Sequence, residues 1–444
     1  MLSVFEHDLA ALQSAPVSIG PSRFGRVHSC DGGLIEVSGL PVPIGTLCRV
    51  MTDGPQDDPK AEVIGFRDRF SLMMLLGDSV LLHPGARVRA EGEPGMVAVG
   101  EAFLGRAVDA TGHPIDGGPP IRAAARWPLV GIRESALERA SVVEPFDCGV
   151  RAMNALTTMG TGQRLGIIAG SGVGKSMLLD MITSGCDSDI AVVALIGERA
   201  REVSDFVTRH MQGPMRRRMV IVAIPADHAA NLRLRGAQFA ASLAEYFRAK
   251  GQRVTLIMDS LTRVAHAARE IGLLLGEPGA ARGYPPSALA AVTRLVERAG
   301  NSGTSGGAVT GIYTVLADGD DHDDPVVDTA RAILDGHIVL SRELAQQGQY
   351  PAIDVNASLS RVMNGVTDPA HQALAREFRT LVANYQANRD LVLMGAYREG
   401  ADPGIDRAIA MHGALREFLM QPADDLASLA ESISALRLVL SDEG

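Results

Sequence analysis

The sequence predicts an α/β protein in three parts: a small N-terminal β-barrel, a central domain with a mostly parallel sheet, and a C-terminal helical domain. Three observations lead there. From Val17 to about Gly100, short β-branched stretches alternate with Gly, Pro and Asp. From about Val150 to Arg361, aliphatic strings of strand length alternate with helix-like segments. After Gly365 the β-branched runs vanish and Ala, Leu and charged residues dominate. At 444 residues the chain is also too long for a single compact core.

The elements follow in chain order. Residues 1–16 place Leu2, Phe5, Leu9 and Leu12 three and four apart, which gives a helix one apolar face. That face either caps the chain's own barrel or docks a partner. Within 17–100, the stretches GRVHSCDGGLIEVSG, GTLCRV, AEVIGF, DSVLL and ARVRA read as short strands of a barrel or sandwich. The turn-rich GRAVDATGHPIDGGPPI reads as a linker into the central domain, assigned to 101–364. There Leu165–Ala169, Ile190–Ile196, Met219–Ile224, Val254–Met258 and Ala308–Val315 are expected strands, with helices over Asn231–Ala249 and Ser287–Arg298. The helical domain is assigned to 365–444.

Composition narrows the function classes. Apolar residues make up 46% of the chain, and 42 Lys plus Arg stand against 52 Asp plus Glu, a net charge of -10. That balance argues against a broad nucleic-acid or anionic-lipid footprint. Cys30, Cys48, Cys148 and Cys186 form no CxxC pair and read as small core residues, with zinc as the alternative. No secretory signal pattern and no run near the roughly eighteen apolar residues of a membrane span is visible, so a soluble intracellular protein is expected.

The segment LGIIAGSGVGKS sets a buried strand directly before a glycine-rich loop, and MLLDMI after it has the apolar content of a helix. This is the context of a phosphate loop, in which backbone N–H groups and the helix N-terminus surround phosphate oxygens. The loop comprises Ala169, Gly170, Ser171, Gly172, Val173, Gly174, Lys175 and Ser176, with Ala169 where the usual pattern has glycine. Lys175 would reach the β and γ phosphates of ATP and Ser176 would ligate Mg²⁺. The plainer reading is a glycine-rich turn that binds nothing.

VTLIMDS ends an aliphatic strand in Asp259, the position of a second magnesium anchor, or of an N-cap for the helix beginning LTRVAHAARE. Glu198, directly after the strand AVVALIG, is the carboxylate best placed to activate water. A surface ion pair with Arg199 or Arg201 is its plainer fate.

Here the motifs become familiar. GERAREVSDF, MDSLTR, RGYPPS, LVERAGN, DDPVVDTARAILDGHIVLSR and YPAIDVNASLSRVM, in this order, resemble the catalytic subunits of rotary ATP synthases. The resemblance runs from about Gly100 to Arg361 and implies a barrel, a RecA-like nucleotide-binding domain and a helical end. In wording the chain is most similar to flagellar protein-export ATPases, with virulence-type secretion ATPases second. Ser176 rather than Thr, and Ala200 to Val203 rather than TREG, favour the export branch.

The resemblance implies an ATPase that energises protein export. Glu198 matches the glutamate that polarises the attacking water, which is glutamine in the noncatalytic sister subunit. Arg199 and Arg263 match arginines near the γ-phosphate. Arg361 matches the finger that reaches a neighbouring subunit's site. Tyr350 matches the aromatic against adenine, with Tyr397 as a second candidate. The implied partners are five further copies in a homo-hexamer, a stalk or regulator protein, and the export gate, chaperones and export substrates. Nucleic acid is not among them. The implied place is the cytoplasmic face of the export apparatus, touching membrane only through partners. Two competing readings are a noncatalytic ring subunit, opposed by Glu198, and an RNA-translocating hexamer, opposed by the acidic balance.

Overall fold

The computed structural model describes residues 23–31, 33–52, 58–77, 82–91, 93–317 and 324–441. The helix expected over 1–16 lies outside them. Backbone contacts divide the chain into two units, Met1–Pro94 and Gly95–Gly444.

In the first unit β1 (Phe24–Asp31), β2 (Leu34–Ser38), β3 (Leu47–Val50), β4 (Lys60–Arg67), β5 (Phe70–Leu75) and β6 (Arg87–Glu91) form a closed barrel in the order β1-β2-β5-β4-β3-β6. Closure pairs β6 with β1 and leaves no free edge. Alternate residues such as Val27, Ile35, Val37, Val63, Met73 and Val88 fill its interior. The expected strand in DSVLL falls largely outside the described residues. Strand β5 was not foreseen: FSLMML is buried at five of six positions, so it lacks the alternation that marks a half-buried strand.

The second unit begins earlier than the sequence indicates. Strand β7 (Met96–Val99) pairs with β9 (Ala125–Pro128), so the expected boundary at 100 moves back to about Pro94. The stretch read as a linker carries β8 (Arg106–Val108), pinned where Arg106 donates to both carboxylate oxygens of Asp116 at 2.7 and 2.8 Å. Two short pairs follow: β10 (Arg139–Ala140) against β17 (Gly300–Ser302), and β11 (Pro145–Phe146) against β12 (Met159–Gly160). The large sheet adds β13 (Arg164–Ala169), β14 (Ile190–Ile196), β15 (Met219–Ile224), β16 (Arg253–Asp259), β18 (Ala308–Leu316), β19 (Gly336–Leu340) and β20 (Ile353–Ser360).

Its main order is β20-β19-β13-β18-β16-β14-β15-β8, parallel along this path except for β20 against β19, and the β10–β17 pair joins it through β17, antiparallel to β18. Every residue of β14 and β15 is buried, as expected of parallel strands covered on both faces. The crossover helices put the C-terminal ends of β13, β14 and β16 at one edge, where open α/β sheets bind ligands. The three helices Pro369–Leu393, Pro403–Leu419 and Leu429–Leu440 form the expected helical end. They have no separate core: Phe378, Leu415, Phe418 and Leu436 belong to the same buried cluster as Met153, Leu165 and Leu178.

A buried ion pair fastens the helix Ala230–Ala249. Arg298 donates to both oxygens of Glu245 at 2.8 and 2.9 Å, and Trp127 Nε1 donates to the same carboxylate at 2.9 Å. Glu245 is 2% exposed. Glu245→Ala strands the Arg298 charge and should destabilise the fold by about 3–5 kcal/mol, read as a lowered melting temperature by circular dichroism.

Candidate active site

The site begins where β13 ends. Ala169 is still in the sheet, paired with Leu316 and Leu340, and 1% exposed. Extended backbone tolerates a Cβ, so the missing first glycine of the loop needs no compensation. Positive φ is demanded at Gly172 and Gly174, at 77° and 87°. A Cβ at Gly172 would meet nothing within 4 Å, so that side of the loop is open to a ligand. Gly174 opens the helix Lys175–Gly185 without a side-chain cap, leaving the first-turn N–H groups for an acceptor.

Three charged side chains, one opening the helix after the loop and two at strand ends, meet here. Lys175 Nζ donates to Asp259 Oδ1 at 2.5 Å and to Glu198 Oε1 at 3.3 Å. Asp259 is the last residue of β16, and Glu198 follows β14 after Gly197, whose φ of 71° turns the chain. Burial works against the Lys175 charge, but Asp259 and Glu198 outweigh it and hold its pKa above the usual value. Burial, then the charge of Asp259, pushes Glu198 up, and Lys175 offsets only part of this.

The plainer sequence readings fail for two residues. Glu198 pairs with Lys175, while Arg199 and Arg201 approach Glu202 and Asp205 at 3.8 Å each. The helix Leu261–Leu274 is capped by Ser260, which accepts from Arg263 N at 3.3 Å, rather than by Asp259. Thr314 on β18 was not foreseen: its hydroxyl donates to Asp259 Oδ1 at 2.5 Å and fixes the carboxylate. Its sole signal was a hydroxyl inside the aliphatic string AVTGIYTVL.

The remaining candidates separate. Arg263 runs beneath Gly197, its Cβ 2.8 Å from where a Cβ there would stand, and its buried Nε has no hydrogen-bond partner among the described residues. Arg199 is in solvent, its side chain 85% exposed. Tyr350 lies against Gly174, its ring 3.1 Å from a Cβ there, and lines a cavity of about 630 Å³ with Met177, Gly413, Arg416 and Met420. The Met420 to Ala423 wall of that cavity was not anticipated. Tyr397 is not brought to it. Its hydroxyl contacts Asp402 O and Asp406 Oδ1, at the N-cap and first turn of Pro403–Leu419, away from Gly413 and Arg416 on that helix. Arg361 follows β20, exposed, with Nη2 donating to Arg331 O.

Magnesium fits the donor set. The Ser176 hydroxyl is exposed on the first helical turn and lines a cavity of about 150 Å³ together with Glu198 and Asp259, all hard oxygen donors. Cys48, Cys148 and Cys186 are buried and Cys30 is exposed. Burial pushes the Cys48 and Cys148 thiols up to about 12, far from thiolate ligands.

Residues 149–360 match the ATP synthase alpha/beta family, nucleotide-binding domain, and residues 367–438 match the T3SS EscN ATPase C-terminal domain. The flagellum-specific ATP synthase of Pseudomonas aeruginosa is 46% identical over 94% of this chain and 93% of its own. The chain belongs to the family of flagellum-specific ATP synthases and type 3 secretion ATPases. Its Salmonella typhimurium relative, also named flagellum-specific ATP synthase, is 46% identical over 94% of this chain and 93% of its own. The type 3 secretion system ATPase of Xanthomonas euvesicatoria is 40% identical over 99% and 98%. The assembled ATPase EscN of the enteropathogenic E. coli type III secretion system superposes with a TM-score of 0.88 at 37% identity, covering 94% of this chain and all of that one. In complex with its central stalk EscO the TM-score is 0.86. No described helix is long and apolar enough to cross a membrane.

Proposed function

We propose that this member of the family hydrolyses ATP to energise flagellar type III protein export, as a homo-hexamer at the cytoplasmic face of the export apparatus. The observation that carries the hydrolytic reading is Glu198, a buried carboxylate beside Lys175 and Asp259 at the mouth of a phosphate loop. Phosphates in the loop accept from the first-turn N–H groups of Lys175–Gly185 and from Lys175 itself. As Lys175 turns to them, Glu198 loses its counter-charge while burial and Asp259 still raise its proton affinity. A water held by Glu198 therefore meets a stronger base when phosphate is in place. Ser176 and Asp259 would hold Mg²⁺, which supplies charge neutralisation at the β and γ oxygens. Arg263, with its unpartnered Nε beneath Gly197, offers positive charge to the transferring phosphoryl group. Tyr350 packs adenine.

Arg199 in solvent and Arg361 away from the loop would serve at subunit boundaries, and a boundary requires a ring. The stalk partner of EscN supports an equivalent stalk or regulator here. Export gate, chaperones and substrates remain as further expected partners. Flagellum-specific relatives reach 46% identity, against 40% and 42% for two type 3 secretion ATPases, which favours the flagellar branch over virulence secretion. Deleting the gene should abolish motility by swimming assay; normal swimming with lost effector secretion would support the virulence branch.

Lys175→Ala tests the phosphate role. It removes a charged donor and leaves Glu198 and Asp259 facing the phosphates, so ATP affinity should fall by at least about 1.5–3 kcal/mol, roughly tenfold to a hundredfold in Kd. Unchanged affinity by calorimetry would remove Lys175 from the phosphate site.

A further inference from the structure

Thr314 puts a hydroxyl into an apolar layer: it lies in β18 between Tyr313 and Val315, and all three are 0% exposed. Burying a hydroxyl is costly unless it is bonded, and valine would continue the aliphatic string without that cost. The strand register shows what the hydroxyl meets. β18 lies between β13, which feeds the phosphate loop, and β16, which ends in Asp259. Thr314 pairs with Ile167 on one side, and Tyr313 pairs with Met258 on the other, so Asp259 stands level with Thr314. Met258 O is 3.4 Å from Thr314 Oγ1 and Asp259 Oδ1 is 2.5 Å away, so the single hydroxyl proton goes to the carboxylate.

Lys175 Nζ bonds the same oxygen, and a carboxylate oxygen has about two acceptor sites. Thr314 and Lys175 together therefore fill Oδ1 and leave Oδ2 as the oxygen with capacity to ligate. The two donors differ in permanence. Lys175 turns to the phosphates when nucleotide binds, on the reading proposed above, whereas Thr314 is fixed in the sheet. Two residues on, Leu316 N donates to Thr262 Oγ1 at 2.8 Å, which ties β18 to the first turn of the helix Leu261–Leu274 that follows Asp259. We propose that Thr314 is a positioning residue for the nucleotide-bound state. Once Lys175 has left, it is the donor among the described residues that keeps Oδ1 engaged, so that Oδ2 stays free for the Mg²⁺ that accompanies ATP. The inference rests on the magnesium role of Asp259. A side chain that holds a ligating carboxylate in place is worth about tenfold to a hundredfold in metal affinity.

The Kd of a non-hydrolysable ATP analogue in excess EDTA, divided by its Kd in saturating Mg²⁺, measures by calorimetry on the full chain what the metal adds. Thr314→Val should cut that ratio about tenfold or more while the Kd in EDTA stays within a few-fold of the parent. Thr314→Ser restores the hydroxyl without the methyl, and should return the ratio to within a few-fold of the parent, a recovery that a packing role would not give. On an Asp259→Asn chain, Thr314→Val should change the ratio by less than a few-fold, because the two residues act as one unit. Should the valine chain fail to fold by circular dichroism, Thr314→Ala is compared with Thr314→Ser in the same way. An undiminished ratio in the folded variant, or a serine chain no better than the valine one, overturns the inference. A lowered ratio in Asp259→Asn beside an unchanged one in Thr314→Val sinks the role of Thr314 alone. The parent's ratio in Asp259→Asn would instead sink the magnesium role of Asp259, and that of Thr314 with it.

Discussion

Glu198→Gln should lower ATP turnover by about 10²–10⁴-fold while the Kd for a non-hydrolysable ATP analogue stays within a few-fold of the parent. Glutamine keeps the shape and a hydrogen-bonding oxygen toward Lys175 but cannot accept the proton of water. The phosphate-binding N–H groups and Lys175 are untouched, which separates loss of chemistry from loss of binding. The pH profile gives a second readout. Because burial and Asp259 raise the Glu198 pKa, kcat/KM should rise with pH along an acidic limb that lies above the ordinary carboxylate range. In any residual activity of the variant that limb should vanish. The stability sign is also fixed: a raised carboxylate pKa means the folded chain favours protonated Glu198, a contribution lost as pH climbs through the folded pKa. At pH 8 the variant should therefore melt no lower than the parent. Wild-type turnover, or a collapse in analogue affinity, would remove Glu198 as the base.

Strands buried on both faces were the most legible parts. Ile190–Ile196 and Met219–Ile224 have the bounds read from their aliphatic strings, because a parallel strand under two helix layers admits few polar residues. The charged half of the site was legible for a related reason: Lys175, Glu198 and Asp259 each stand one or two residues past or at the end of such a string or its loop. Strand β8 was obscured because its three residues sit among turn signals, and its burial comes from the neighbouring β15. Thr314 and the Met420 to Ala423 wall were illegible for want of any periodic or motif signal; only tertiary pairing brings them to Asp259 and Tyr350. Tyr397 shows the converse. A motif resemblance singled it out, yet its hydroxyl is spent on the start of the helix Pro403–Leu419.

Arg361→Ala should reduce turnover by about 10³–10⁵-fold, and the lost activity should return when the variant is mixed with Glu198→Gln subunits. The geometry behind this is strand register. Gly336 pairs with Ser360 at one end of the β19–β20 ladder, and Leu340, beside Ala169, pairs with Ile353 at the other. Arg361 N donates to Asp335 O, so the residue stands some five strand positions, roughly 16 Å, from the end where its own phosphate loop begins. An arginine so placed is far from its own chain's γ-phosphate; in the proposed head-to-tail ring it would serve the next one. Each variant alone is then inactive at every interface. In rings assembled from equal amounts of both, roughly a quarter of the interfaces join an intact Glu198 to an intact Arg361. Turnover should rise well above either homogeneous ring and depend on total protein concentration, measured by phosphate release after co-assembly. Mixed rings, verified by differential tags, that show no recovery would confine Arg361 to a structural role at Arg331 and Asp335.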